Sequence, residues 1–416
     1  MARGIPGQIT ITNFTIGSLN LVSDPKVFFH GFEIFENITD PFGHPVAEFY
    51  ISDPDDKLNK NRITGSYDEN PISISFRNEY TGDTQSFQFK MYSVYDLTDG
   101  AGNNNRGSLH SKDWKVKAVQ PELYLSQKIK EKTYNGPTTK HVEDMFKEMG
   151  SDKPVNTDPS SEPRDINYNG GSYINHVKKI VQEHKAVGDP SSAYTLFQRW
   201  TNGKPEIIQS TYYKLLQQSP VATLTERTDI NTSRASAEDI QNNIIYSKFS
   251  PSWSFNRPME NTVKRSFNLS TFNVTDEKYK QQGPKPKNPA WIRPATYADE
   301  NGGNSGSIII QDKINNSQPH NTADGIVEKN KFMAHMSQGE AIIEIPANPK
   351  ITLGSMVRLQ IPKKTDDNAL GGEGQMNEEA LVVAIRHIIR PDTQQPRYTM
   401  VLHLTKGGMV KGGSTA

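Results

Sequence analysis

The clearest pattern in the chain is an alternation of hydrophobic and polar side chains between residues 339 and 406. Hydrophobic side chains take every second position in two of its segments: Val357, Leu359 and Ile361, then Tyr398, Met400, Leu402 and Leu404. Successive side chains of a strand leave opposite faces, so this period is typical of half-buried antiparallel strands. Turns separate four such segments, and the pattern therefore predicts strands at residues 340–346, 355–362, 380–390 and 397–404.

Residues 1–118 show the same alternation. Short runs of this kind surround Ile9, Phe32, Phe49, Ile74 and Phe87, and turns or loops separate them. Short strands at this regular spacing predict a β-barrel or a sandwich. Two β units of similar size, one at each end of the chain, indicate an internal duplication, although the sequence identity between them does not establish it.

Between the two β units the hydrophobic period becomes helical. The spacing predicts helices at residues 121–134, 142–149 and 173–184. Two strand-like segments, 193–200 and 205–209, flank Asn202-Gly203 and predict a hairpin. This middle part is therefore expected to be α+β.

Downstream of the hairpin the pattern is less regular. Residues 221–225 predict a strand that joins the C-terminal unit, whereas Ser236–Asp239 resembles a helix N-cap box and predicts a helix through Ile240, Ile244 and Ile245. The proline-rich segment 281–294 and the Asn/Gly-rich segment 300–306 predict an extended excursion.

These elements predict an α+β, mainly β chain with two antiparallel β-barrels and α+β segments between them. The predicted parts are an N-terminal barrel (1–118), an α+β helix and hairpin domain (119–220), a strand and helix excursion with a Pro/Asn/Gly-rich loop that packs on the α+β domain (221–335), a C-terminal barrel (336–406, with a strand from about 221–226) and a flexible tail (407–416).

Composition narrows the class of protein. Only 34% of residues are hydrophobic and the mean hydropathy is −0.70, which fits thin β domains with much exposed surface. Lys+Arg and Asp+Glu both number 47, so the formal net charge is zero, whereas proteins that grip nucleic acid usually carry a basic excess. Cysteine is absent, which excludes disulfides and thiol catalysis. No signal peptide or run of about 20 apolar residues is present, so we expect assembly in a cytoplasm without membrane insertion.

No catalytic motif stands out. The sequence lacks a P-loop, a dinucleotide-binding glycine pattern, a nucleophile elbow and a zincin motif, so we predict no catalytic, cofactor-binding or metal-binding residues. His176 and His184 share a predicted helix, where a surface position is expected rather than a metal site. His387 and His403 lie on adjacent predicted strands, where a hydrogen-bonded pair at an interface or in the barrel wall is expected rather than catalysis.

Two further groups of residues invite a chemical interpretation. Asp53, Asp55 and Asp56 lack the glycine and the distal glutamate of a calcium-binding EF-hand loop, so a solvated turn is expected. The four tryptophans would serve as sugar platforms in a carbohydrate-binding protein, but structural anchoring is the more common use: Trp114, Trp200, Trp253 and Trp291.

The chain resembles the baseplate hub proteins of contractile-tailed bacteriophages, of the T-even hub type, over nearly its whole length. The matching runs occur in the family's order: 27–38, 47–53, 123–134, 142–146, 169–174, 193–197, 203–208, 345–348, 353–354, 380–388 and 398–404. The family is related to the hub-like region of type VI secretion spike proteins, in which an OB-fold and a β-helical needle follow, and neither is recognisable in this chain.

The resemblance implies a fold and a role. Each chain would carry two tail-tube-like barrels, and three chains would form a ring with pseudo-six-fold symmetry. Such a ring would join a hexameric tail tube or tube initiator to a trimeric central spike, contact baseplate wedge proteins and let DNA pass through its bore without specific binding. The expected location is the tail baseplate of the virion.

Two other functions stay open. A receptor- or carbohydrate-binding tail protein would group aromatic loops at one tip and show measurable glycan affinity. A hydrolase would place two carboxylates across a cleft, an arrangement that sequence spacing does not reveal.

Overall fold

A computed structural model of the chain describes residues 6–23, 27–63, 70–97, 112–157, 165–183, 186, 194–201, 204–226, 236–247, 263–268, 273–278, 308–313, 340–362, 375–391 and 397–405. The fold is mainly β, with short helices concentrated in the middle of the chain.

The N-terminal elements are strands apart from one helical turn. They are β1 (Ile9–Ile16), β2 (Leu19–Asn20), β3 (Phe28–Asn37), β4 (Val46–Asp53), α1 (Lys57–Lys60), β5 (Pro71–Asn78), β6 (Thr84–Asp96) and β7 (Lys112–Val119). In β4 buried and half-buried residues alternate throughout, as its sequence predicts.

The middle of the chain holds the remaining helices. Its elements are α2 (Pro121–Leu125), β8 (Ile129–Tyr134), α3 (Thr138–Met149), β9 (Val155–Thr157), β10 (Ile166–Ser172), α4 (Tyr173–Glu183), β11 (Tyr194–Thr201), β12 (Lys204–Thr211) and α5 (Tyr212–Leu216). Helix α3 ends at Gly150, whose φ of 93° satisfies a left-handed C-cap that favours glycine. The predicted hairpin is confirmed as β11 and β12.

The C-terminal elements are all strands. They are β13 (Ala222–Glu226), β14 (Asp239–Ile240), β15 (Asn242–Ser247), β16 (Val263–Asn268), β17 (Asn273–Lys278), β18 (Ile308–Lys313), β19 (Glu340–Pro346), β20 (Met356–Pro362), β21 (Gln375–Arg390) and β22 (Arg397–Thr405). The four predicted strands of the closing unit and the strand after residue 221 are confirmed.

Strands from both ends of the chain form one 14-stranded sheet. We call β1 and β3–β7 the N-module, and β13–β15 with β19–β22 the C-module. The strand order is β1-β5-β6-β7-β4-β3 in the N-module and β13-β20-β21-β22-β19-β15 in the C-module, and β3 pairs with β21 to join them. The ladder of described strands does not close on itself, and closed barrels are not evident from it.

One hydrophobic core runs through both modules. Seven phenylalanines fill the N-module, with ring centroids between 4.6 and 6.4 Å apart: Phe14, Phe29, Phe32, Phe49, Phe76, Phe87 and Phe89. The ring of Tyr398 from β22 meets Phe76 edge-on at 5.1 Å, so the C-module contributes to this core. A second core is formed mainly by residues 121–216, which hold α2–α5 and β8–β12 and which we call the middle domain. Phe42 from the loop after β3 stacks there on Phe146 of α3 at 5.6 Å.

Two predicted helices differ from the structure. The predicted helix at 121–134 ends at Leu125, and the polar segment Ile129–Tyr134 instead pairs with β10 as a strand. The helix predicted to follow Ser236–Asp239 is wrong, because these residues enter β14 and β15. β-Branched isoleucines and adjacent asparagines disfavour a helix there, and pairing with β19 is available. The helices at 142–149 and 173–184 are confirmed as α3 and α4.

Several predictions concern residues outside those described. They are the turn at 202–203, the excursion segments 281–294 and 300–306, and the tail at 407–416.

Candidate assembly surface

The two modules meet at a strand pair that unites opposite ends of the chain. Residues 32–37 of β3 pair antiparallel with residues 384–389 of β21, from Phe32 opposite Ile389 to Asn37 opposite Ala384. Gly31 begins this contact with a φ of 148°, and a Cβ at that position would lie 2.7 Å from the carbonyl oxygen of Ile389. The close approach of the two strands therefore requires glycine here.

A buried polar cluster crosses this junction. Glu36 of β3 is hydrogen bonded to Nε2 of His387, and Nδ1 of His387 lies 2.7 Å from the Tyr398 hydroxyl. Burial and the nearby Glu36 carboxylate raise the pKa of Tyr398, so its hydroxyl stays protonated and can donate to Nδ1 while Nε2–H donates to Glu36. Ring contacts to Phe87 and Phe76 enclose the cluster on the N-module side.

The opposite, exposed face of the junction carries paired charges. The Arg386 guanidinium binds both carboxylate oxygens of Glu33, at 3.1 and 2.7 Å. One strand further, Glu48 lies 2.9 Å from Nζ of Lys115 and 3.2 Å from Nζ of Lys117. Burial alone would raise the pKa of Glu48, but both lysines hold it below its ordinary value. We call these five residues the charge-paired face.

The middle domain contacts the junction through side chains of the hairpin strand β11. Hydroxyl and amide groups of Thr195 and Gln198 on β11 donate to the carbonyl oxygens of Ile38 and Pro41, at 2.7 and 2.8 Å. The two carbonyl groups belong to the segment that follows β3, and all four residues are buried. Trp200 of the same strand packs on Phe87, with 4.7 Å between ring centroids. The hairpin therefore supports the strand that joins the two modules.

A buried ion pair supports the hairpin from the other side. Nζ of Lys153 binds the Glu122 carboxylate, the Gln120 side chain and, at 3.0 Å, Gln198 Oε1. Burial lowers the pKa of Lys153, and the Glu122 charge opposes that effect. The Lys153 ammonium group therefore has three acceptors, one of them charged. Such pairing and hydrogen bonding is what allows a charged lysine to be buried.

The predicted histidine pair does not form. His387 lies in the buried cluster, whereas His403 pairs with Ala384 in the β21–β22 register and lies 3.6 Å from Glu340. The expected surface position of His176 is wrong as well: this side chain is buried, and its Nε2 donates to the Gly171 carbonyl at 3.0 Å. His184 is outside the described residues.

The other residues that the sequence suggested as functional have structural roles where they are described. Asp53 is buried and accepts a hydrogen bond from the Leu58 amide at 2.8 Å, so it orders the turn before α1 rather than facing solvent. Trp114 and Trp200 pack in the N-module core, and Trp253 and Trp291 lie outside the described residues. Among the described residues, no three His, Asp or Glu side chains are grouped closely enough to hold a metal ion.

The buried cluster is what sequence analysis missed. Glu36 falls at an inward position of a strand whose other inward residues are hydrophobic, and that mismatch is the signal that would have found it. Its partner is 351 residues away, so spacing along the chain gives no hint of the pair.

Comparison with solved structures finds proteins with a similar architecture. The tail protein from Neisseria meningitidis aligns with a TM-score of 0.55 and 10% identity, over 97% of this chain and 98% of that chain. This chain has a tail-protein fold. At the level of the fold, the predicted resemblance to tail proteins is thereby confirmed.

Two more distant alignments have lower scores. A prophage tail protein from Shewanella oneidensis aligns with a TM-score of 0.48 and 10% identity, over 96% of this chain and 97% of that chain. A component of the type VI secretion system of E. coli aligns at 0.47 and 10% identity, over 94% and 76%. No protein-family model and no curated protein sequence matches the chain. In the described part of the chain, helices are too short or too polar to traverse a lipid bilayer.

Proposed function

We propose that this protein is the structural hub of a contractile tail baseplate and has no catalytic role. Three copies form a ring that joins a six-fold tail tube, or its initiator, to a three-fold central spike, and baseplate wedge proteins surround it. The ring is a component of the virion, and it is assembled in the host bacterial cytoplasm.

The observation that carries this proposal is the equivalence of the two modules. If residues 239–247, which contain β14 and β15, are counted as one strand, each module has six strands. In both modules the spatial order is first, fourth, fifth, sixth, third, second. Four of the five neighbouring pairs are antiparallel in both modules. Two equivalent wall segments per chain would give three chains six segments, which is the match that an adaptor between three-fold and six-fold partners needs.

The first strand of each module marks a difference. β1 pairs antiparallel with β5, whereas β13 pairs parallel with β20. β1 and β13 each lie at one end of the strand order of their module. The difference in their direction therefore does not affect the correspondence of the other five strands.

Strand pairing at both ends of the segment 239–247 supports the proposal of a barrel in the C-module. The strand at 239–247 pairs first with β13, at Asp239 and Ile240, and then with β19. Between these two ladders, the amide of Gln241 donates to the Glu344 carbonyl at 2.8 Å. Counted as one bent strand, this segment would bridge the two ends of the C-module, as a closed six-stranded barrel requires.

The charge-paired face supports passage of DNA without binding. A bore that DNA must traverse should not offer unpaired cations to phosphates, because each such contact adds affinity. On this face Arg386 is neutralised by Glu33, while Lys115 and Lys117 share Glu48. We place this face towards the bore of the ring.

The two tryptophans in the described part of the chain do not favour a receptor- or carbohydrate-binding function. Such a protein needs exposed aromatic platforms, whereas Trp114 is buried and Trp200 packs on Phe87 and Phe89.

Native mass spectrometry with electron microscopy of the purified protein tests the proposal. The expected result is a trimer whose images show three-fold symmetry, six wall segments and a central hole. A monodisperse monomer that persists after tube and spike proteins are added would overturn it.

A further inference from the structure

Strand β21 changes its neighbour half-way along. Residues 375–381 pair with β20, while residues 384–389 pair with β3 of the other module. The change coincides with a bulge, since the register against β22 shifts between Val382 and Ala384. The first half of β21 therefore belongs to its own module, and the second half forms the junction.

Strand β6 is the counterpart of β21 in the N-module and has the same construction. Residues 84–90 pair with β5, and the register against β7 shifts between Met91 and Ser93. Beyond that bulge β6 continues beside β7 to Asp96, and no described strand pairs with its other edge there. This second half of β6 thus corresponds to the half of β21 that receives β3.

The strand that corresponds to β3 in the C-module is β15. Both are the second strand of their module and both end the strand order, next to β4 and β19 respectively. β3 uses its outer edge to pair with β21, whereas the outer edge of β15 has no strand partner among the described residues. Repeating the internal junction would bring β15 of one copy against β6 of the next.

The two strand ladders fix the register of this contact. Just before each bulge, one rung can be followed across four strands: Lys90, Val119, Val46 and Phe35 in the N-module, and Leu381, Thr405, Glu340 and Ser247 in the C-module. Ser247 therefore corresponds to Phe35. Tyr95 corresponds to Arg386, since each is the third residue after the bulged one. Because Arg386 lies opposite Phe35, Tyr95 would lie opposite Ser247.

Exposure along the second half of β6 agrees with a missing neighbour. Tyr92 and Tyr95 of β6 and Leu97, the residue directly after it, are 61%, 48% and 51% exposed, which is unusual for large hydrophobic side chains so close together. Ile388, the counterpart of Leu97, is half-buried where β3 lies beside it. An edge strand with exposed hydrophobic side chains is a template for pairing with another chain.

We infer that β6 of one copy pairs antiparallel with β15 of the next copy, with Tyr95 opposite Ser247 and Leu97 opposite Ile245. The pairing rests on the proposed trimer and specifies its contact: three identical head-to-tail contacts would continue the internal β3–β21 junction around the ring. The occupant of this edge is a second copy of this chain, because the chain itself supplies both the strand and the template for its docking.

Disulfide trapping tests this register in a chain that has no cysteine of its own. The amide of Ile38 donates to the Val383 carbonyl, so alternation makes Arg386 and Phe35 a non-hydrogen-bonded pair with close side chains. The same holds for their counterparts, and the double variant Tyr95→Cys/Ser247→Cys should form intermolecular disulfides on mild oxidation. Leu97→Cys/Ile245→Cys is a second pair in the same register and guards against failure of the first to fold.

The matched control is Tyr95→Cys/Tyr246→Cys, because a one-residue slip sends the two side chains to opposite faces. We expect each in-register variant to yield covalent trimers on a non-reducing gel, at about ten-fold the amount from the control, since disulfide geometry tolerates little error. A trimer by native mass that gives no crosslink, or as much from the control, would overturn the strand pairing and leave the hub proposal standing. A monomer in every assay would overturn both.

Discussion

His387 and Glu36 are hydrogen bonded in the interior although 351 residues separate them in the chain. Their strands, β21 and β3, come from the two modules, and both side chains are almost completely buried. The contact therefore binds the two ends of the chain at the point where the modules share a sheet.

Replacement of His387 should be costly. In His387→Phe the Glu36 carboxylate and the Tyr398 hydroxyl would remain buried without their shared partner, and we expect the free energy of unfolding to fall by about 2–4 kcal/mol. Chemical denaturation measures the change. His403→Phe is the control on the neighbouring strand, because His403 is half-exposed and its contact with Glu340 is 3.6 Å long. Equal losses in the two variants would show that the buried cluster has no special role.

Gly31→Ala should weaken the junction itself. The new Cβ would meet the Ile389 carbonyl at 2.7 Å, so β3 and β21 must separate or shift, at a cost above about 1 kcal/mol. Gly82→Ala is the matched control, since Gly82 also has a positive φ but a Cβ there would have no atom within 4 Å. Thermal unfolding of both variants compares an alanine at positive φ that collides with the Ile389 carbonyl with one that meets no atom. If Gly82→Ala proves the more damaging change, the close approach at Gly31 is not limiting.

The buried ion pair should show strong non-additivity. Lys153→Met leaves the Glu122 carboxylate buried without its cation, and we expect a loss of about 3–5 kcal/mol in unfolding free energy. The double variant Lys153→Met/Glu122→Leu removes both charges and should recover most of that loss. A double-mutant cycle by urea denaturation measures the coupling, and strictly additive losses would contradict the assignment.

Sequence patterns predicted the strands of the C-module well because those strands are half-buried. In β22, for example, buried Tyr398, Met400 and Leu402 alternate with half-buried residues, so one face alone carries the hydrophobic signal. The same logic succeeded for α3, whose buried residues Val142, Met145 and Phe146 recur at helical spacing. Local periodicity suffices where a single element faces a single core.

The failures occurred where the deciding partner is distant in sequence. Ser236–Asp239 has the composition of a helix cap, yet the residues after it form a strand because β13 and β19 offer ladders on both sides. The predicted pairing of His387 with His403 failed because the register of β21 against β22 places His387 opposite Met400 and His403 opposite Ala384. The union of both modules in one sheet was likewise invisible, because it depends on β3 meeting β21.

Acidification below neutrality should destabilise the protein through half-buried His44 and buried His141. Burial lowers the pKa of His44 and of His141, and nearby Asp40 and Asp144 offset part of that effect. The unfolded chain therefore binds more protons once the pH falls below about 6.5, so stability is complete above that pH and declines below it. The slope is at most about 1.4 kcal/mol per pH unit for each histidine. The double variant His44→Gln/His141→Gln should flatten the decline in unfolding free energy between pH 7.5 and 5, and an unchanged slope would contradict this cause.

The last prediction concerns the affinity of the charge-paired face for DNA. Glu33→Gln/Glu48→Gln would leave Arg386, Lys115 and Lys117 without their carboxylates, and a face with three unpaired cations should bind phosphates. We expect the variant to bind double-stranded DNA about ten-fold more tightly than the unmodified protein at low salt, with an affinity that falls steeply as salt is added. Fluorescence anisotropy over a salt series measures this. Glu148→Gln is the control, because it frees Lys132 in the middle domain, away from the face. If both variants gained affinity equally, general charge rather than this face would be responsible, and the face would lose its claim to line the bore.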